Sequence, residues 1–164
     1  LEGGVIMRKG LLACSVAVCS VMLFSGSVVL AADNWLGTWK LNIEKSKFSP
    51  GPAPKSETLK FEASQGGIRL THDGVDAEGK ATHGGYSSKF DGKEVPFEGN
   101  PNADMCAPKK IDDNSYENVW KKGGKVTVTA KVAVSKDGKT LTGSQTGKNA
   151  KGETVNNTAV YEKQ

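Results

Sequence analysis

Lys125-Val126-Thr127-Val128-Thr129-Ala130-Lys131-Val132-Ala133-Val134-Ser135, followed at once by Lys136-Asp137-Gly138-Lys139, is the stretch whose reading decides the fold. Val126, Val128, Ala130, Val132 and Val134 alternate with Thr127, Thr129, Lys131, Ala133 and Ser135. Side chains of an extended strand point to opposite faces in turn, so a two-residue period with one apolar face is a half-buried strand. Asp137-Gly138-Lys139 then places glycine in a polar tight turn, where a positive φ costs it nothing.

The same turn recurs along the chain. Glu78-Gly79-Lys80, Asp91-Gly92-Lys93, Gly123-Gly124-Lys125 and Lys151-Gly152-Glu153 repeat it, and the glycines at 124, 138 and 152 are 14 residues apart. This spacing leaves one strand between successive turns and predicts a meander of hairpins. Weaker alternation runs through Leu59-Phe61, Ile68-Leu70, Tyr86-Ser88-Phe90, Tyr116-Asn118-Trp120 and Val155 to Tyr161. The expected strands are 34–41, 57–63, 67–75, 80–90, 93–98, 105–111, 115–121, 125–135, 139–147 and 154–163. A sheet of that length splits or closes, and closure removes its exposed edges. The expected fold is therefore all-β, an antiparallel up-and-down β-barrel of eight to ten strands. Little helix is expected: Asn42 can cap one turn, and Pro50, Pro52 and Pro54 force an extended connection.

The start of the chain reads differently. Met7-Arg8-Lys9-Gly10 is a short basic opening, and the apolar run from Leu11 to Leu30 carries no charge. That is the order of a secretory signal peptide. Small residues around Ala31 predict cleavage after Ala31 or Ala32. Residues 1–6 then read as an untranslated leader, 7–32 as the signal peptide helix, and 33–164 as a single barrel domain. Two other readings fit the same run: an uncleaved anchor, since roughly 20 apolar residues span a bilayer, and a lipoprotein cleaved before Cys14. The expected location is the periplasm or the exterior.

Without residues 1–32 the chain keeps 20 of its 22 basic and 17 of its 18 acidic residues, a net charge near +3. That balance is too mild for a nucleic-acid partner. Cys14 and Cys19 depart with the signal, leaving Cys106 without a disulfide partner. Stability must come from the core, and about 130 residues can supply one.

Leu36-Gly37-Thr38-Trp39-Lys40-Leu41 opens the first strand, and Ala159-Val160-Tyr161-Glu162-Lys163 closes the last. A Gly-x-Trp opening, a run of hairpins and such an ending resemble the calycin superfamily, the lipocalins and intracellular fatty-acid-binding proteins. Ten strands favour the second branch. Gly37 to Phe48 also resembles small exported bacterial proteins described as lipocalin-like. The resemblance implies a barrel with Gly37 and Trp39 as its structural signature, Trp39 plugging the closed end, and a cavity for a small hydrophobic or amphipathic ligand. Two departures stand out. Ala159 occupies the place of an Arg that binds the ligand carboxylate in fatty-acid-binding proteins, and residues 42–56 are too short and proline-rich for their helical lid.

The alternation turns Tyr86, Tyr116, Trp120 and Tyr161 inward, together with the small or polar Gly84, Ser88, Asn118, Gly143, Gln145, Asn157 and Ala159. These cannot fill a wide barrel. Tyr86, Tyr116, Trp120, Asn157 and Tyr161 are the expected ligand-binding residues, with Phe48, the prolines and the loop at Gly99 to Asp104 around the opening. No cofactor and no resident metal is expected, and the chain reads as a monomeric binding protein rather than an enzyme. Two other classes draw on different residues. His72, His83, Met105 and Cys106 offer donors suited to copper. His72 or His83 with Asp73 or Glu117 would supply the acid or base of a cavity isomerase or cyclase. Lys109-Lys110 and Lys121-Lys122 flank one hairpin and suggest a basic patch, although such pairs more often solubilise sheet ends.

Overall fold

The computed structural model describes residues 34–164; the expected leader and signal peptide, with Cys14 and Cys19, lie outside the described residues. Ten strands follow one another: β1 Gly37–Leu41, β2 Ser56–Ser64, β3 Gly67–Val75, β4 Ala81–Ser88, β5 Val95–Pro96, β6 Met105–Asp112, β7 Ser115–Lys122, β8 Lys125–Val134, β9 Thr140–Lys148 and β10 Thr154–Lys163. Every pairing is antiparallel, and the order across the sheet is β4-β3-β2-β1-β10-β9-β8-β7-β6-β5. The first strand thus pairs with the last, Leu41 opposite Tyr161. The two outer strands meet at one point. Gly85 N–H donates to Glu98 O at 3.1 Å, and Glu98 N–H donates back at 3.0 Å. The sheet is a nearly closed barrel.

Gly79, Gly92, Gly124, Gly138 and Gly152 all have positive φ, as their turns require. The closing seam makes a stricter demand. A Cβ on Gly84 would lie 2.1 Å from Glu98 O and 2.6 Å from His72 Nε2, so only glycine lets the seam approach.

Two strands, the first and the fifth, start later or end sooner than the sequence predicts, and the Asn42 turn forms as predicted. The first strand begins at Gly37 rather than at residue 34, because the Trp35 indole instead donates to Asp113 O at 3.0 Å. Asn42 caps a single turn, its Oδ1 accepting from Lys45 N–H at 3.1 Å, and no helix follows. The strand expected over 93–98 shrinks to Val95–Pro96, since Pro96 has no N–H to extend the ladder.

One end of the barrel is packed shut. Trp39 is fully buried there, its indole donating to Trp35 O at 2.9 Å. Trp35 stacks obliquely on Phe61 and Tyr116, with ring centroids 6.0 and 5.2 Å away. The two lysine pairs do not form a common patch, because β6 and β7 place them at opposite ends of their hairpin. Lys110 Nζ reaches Asp113 Oδ1 at the turn, and Lys121 pairs with Glu94 at the other end.

Phe61 is 1% exposed, whereas Val126 is 60% exposed. Phe61→Ala is expected to lower the unfolding free energy by roughly 3–5 kcal/mol, and Val126→Ala to change it by less than about 0.5 kcal/mol. Urea denaturation followed by Trp fluorescence checks both.

Candidate functional site

The strand registers arrange inward side chains in rows. Val134, Leu141 and Tyr161 sit side by side on β8, β9 and β10; Val132, Gly143 and Ala159 form the next row; Ala130, Gln145 and Asn157 follow toward the open end. The middle row is small, and no atom lies within 4 Å of the place where a Gly143 Cβ would stand. Side chains therefore leave an inner cavity of about 110 Å³. An engineered apolar cavity of about 150 Å³ binds benzene, so the space is on the scale of a small molecule.

Tyr86, Tyr116, Trp120 and Tyr161 line this cavity, and Glu57, His72, Phe97, Asn118 and Ala159 line it with them. Glu57, His72, Asn100, Trp120, Gln145, Ala159 and Tyr161 also border a groove of about 470 Å³ at the open end, so the two spaces are continuous. Phe48, Pro50, Pro52, Pro54, Gly99 and Pro101 line the groove. Phe97 joins the walls: its ring meets His72, Tyr86 and Trp120 edge-on, with centroids 6.2, 5.2 and 5.5 Å away.

Asn157 does not line the inner cavity. It sits at the groove, where its Oδ1 accepts from Ser49 N–H at 2.9 Å and its amide donates to Gln145 at 3.2 Å. Its Oδ1 thus tethers the segment before Pro50, and its amide links β10 to β9.

Polar groups inside the barrel divide into paired and unpaired. The Tyr86 and Tyr116 hydroxyls bond each other at 3.1 Å, and Tyr161 donates to Glu57 Oε2 at 2.5 Å. Among the described residues three buried side-chain atoms have no hydrogen-bond partner: His72 Nε2, Asn118 Oδ1 and Trp120 Nε1. All three residues line the cavity. Burying an amide or indole group without a partner costs free energy, so such atoms collect where a ligand or water can reach them.

The donors considered for metal binding are dispersed. His72 faces the cavity, while His83, one strand away and of opposite parity, is exposed and bonds Asp73 at 2.5 Å. That His–carboxylate pair exists, but on the outer surface, where it cannot act on a cavity substrate. Cys106 is fully buried, and burial pushes its thiol up to about 12. Among the described residues no group of three His, Cys, Asp or Glu side chains could hold a metal ion. Among those residues, too, no helix is long and apolar enough to cross a membrane.

Sequence reasoning missed Glu57 and Phe97. Glu57 shares the parity of Leu59 and Phe61 and so was readable as inward. Phe97 gave no periodic signal, because Pro96 ends its strand.

The fold and the cavity together define an all-β, ten-stranded near-barrel of the calycin type. The crystal structure of zebrafish ileal bile acid-binding protein complexed with cholic acid is similar to it, with a TM-score of 0.51 and 11% sequence identity, over 80% of this chain and 99% of that one. At that identity the likeness shows the fold. No protein-family model and no curated protein matches the sequence.

All three tyrosines of the chain are in the cavity wall. Burial first, then the neighbouring Glu57 charge, holds Tyr161 well above the ordinary value of 10.0; burial does the same for Tyr86 and Tyr116. A raised acid keeps its proton in the folded state where the unfolded chain has lost it. This contribution is complete below about pH 10 and is lost as pH rises beyond it. Absorbance titration at alkaline pH is expected to show no tyrosinate before unfolding, and then all three together. A tyrosine ionising near pH 10 in folded protein would contradict the burial described.

Proposed function

We propose that this protein binds or carries a small hydrophobic or amphipathic molecule inside the barrel. It does so as an exported monomer from which residues 1 to 31 or 32 have been removed. The observation that carries the binding reading is the coincidence of three unpaired buried polar atoms with a cavity that the neighbouring side chains do not fill. An apolar enclosure with a few convergent polar groups is how small-molecule sites are built. The bile acid-binding protein with the same fold supports the reading. The export reading rests on the basic-then-apolar order from Met7 to Leu30. Mass measurement of the protein recovered outside the cytoplasm tests it: a chain starting at Ala32 or Asp33 is expected, and one retaining Met7 overturns it.

Gly143 offers a direct test of binding. Its backbone is ordinary strand and its side-chain position opens on the cavity, so Gly143→Leu fills the space from within. Calorimetric titration with 1-octanol is expected to show at least a tenfold loss of affinity in this variant, with an unfolding temperature no lower than that of the parent. Equal affinity in both proteins, or no binding by the parent, would defeat the proposal.

A further inference from the structure

The inner cavity is acidic rather than basic. Its lining contains no lysine and no arginine, and its one carboxylate is that of Glu57. Among the described residues no lysine or arginine forms an ion pair with Glu57, whose bond is to the Tyr161 hydroxyl. Asn118, only 3% exposed, turns an unpaired carbonyl oxygen on the same space. An amide oxygen and a carboxylate only accept hydrogen bonds. Against them stand the unpaired Trp120 indole N–H and His72 Nε2, which donates or accepts according to its tautomer.

The mouth has the same polarity. Glu57, Asp76, Glu78 and Glu153 border the groove, against Lys151 alone. This acidic rim belongs to a chain of formal net charge +4, so it does not follow from composition. Low-dielectric walls concentrate such a field and draw ligands of the opposite sign.

Resting on the binding function proposed above, we infer that the ligand is a cationic amphiphile, an apolar body carrying a protonated amine, and not a carboxylate. The body lies among the aromatic rings of the inner cavity, and the ammonium sits at the neck where cavity and groove meet. There it donates to Glu57, with Asn118 Oδ1 the acceptor for a second donor deeper in. A carboxylate at the same neck would face Glu57 with no lysine or arginine to offset it, and only a protonated His72 would supply a cation there.

Three probes with one tail separate the outcomes: octylamine, 1-octanol and octanoate, each titrated calorimetrically into the folded protein below its micellar concentration. Octylamine is expected to bind most tightly and octanoate most weakly, at least tenfold apart. Glu57→Gln, which can still accept from Tyr161, is expected to weaken octylamine about tenfold, the scale of one charge-assisted hydrogen bond, and to narrow its advantage over octanol. If octanol binds while octanoate binds as tightly as octylamine, the cationic assignment fails and the binding function stands. If Glu57→Gln leaves octylamine unchanged, the assignment fails likewise. If none of the three binds a barrel whose circular dichroism is intact, both fail.

Discussion

The hydrogen-bonded circuit of strands is the constraint on which the rest depends. Neighbouring strands lie about 4.7–4.9 Å apart, so ten of them in one sheet set a perimeter that side chains must then fill or leave. β1 locks onto β10 along three register pairs, whereas β4 reaches across to Glu98 through Gly85. Glycine at 84 and 99 lets this last approach occur. With the perimeter set, the interior volume no longer adjusts to the sequence. The row of Val132, Gly143 and Ala159 is too small for the space it faces, and the difference is the cavity.

The two ends of the barrel resolve this mismatch differently. At the closed end Trp35, Trp39 and Phe61 supply bulk, and both indoles there are hydrogen-bonded to backbone carbonyls. Toward the open end the inward residues are polar or small, and the hydrogen bonding stops short of completion. Asn118, Trp120 and His72 keep polar atoms that the protein does not pair. The tyrosines, by contrast, are paired with each other or with Glu57. Close packing is concentrated at one end and unpaired polar atoms at the other, with Phe97 as the ring between the walls.

Much of this was legible from residue order. The alternation from Lys125 to Val134 and the recurring polar glycine turns specify strands, hairpins and their parity, and parity is enough to turn Tyr86, Tyr116, Trp120 and Tyr161 inward. What parity cannot show is how far along the barrel a residue sits, or what competes for its polar atoms. Asn157 has the inward parity, yet Ser49 and Gln145 claim its amide at the mouth. His72 and His83 look like neighbours, yet the β3–β4 register pairs His72 with Gly84 and His83 with Asp73, which puts the two histidines on opposite faces. The lysine pairs flank one hairpin, but from its two ends. Pro96 hides Phe97 by ending the periodic signal that would have located it.

The most direct test concerns the three indole N–H groups, which nuclear magnetic resonance resolves separately. Trp35 and Trp39 donate to backbone carbonyls at the packed end, whereas Trp120 faces the cavity without a protein acceptor. The Trp120 indole proton, bonded to nothing among the described residues, is expected to exchange faster than the other two and alone to shift strongly when 1-octanol is added. Three equally protected indole signals, unmoved by added 1-octanol, would contradict this expectation.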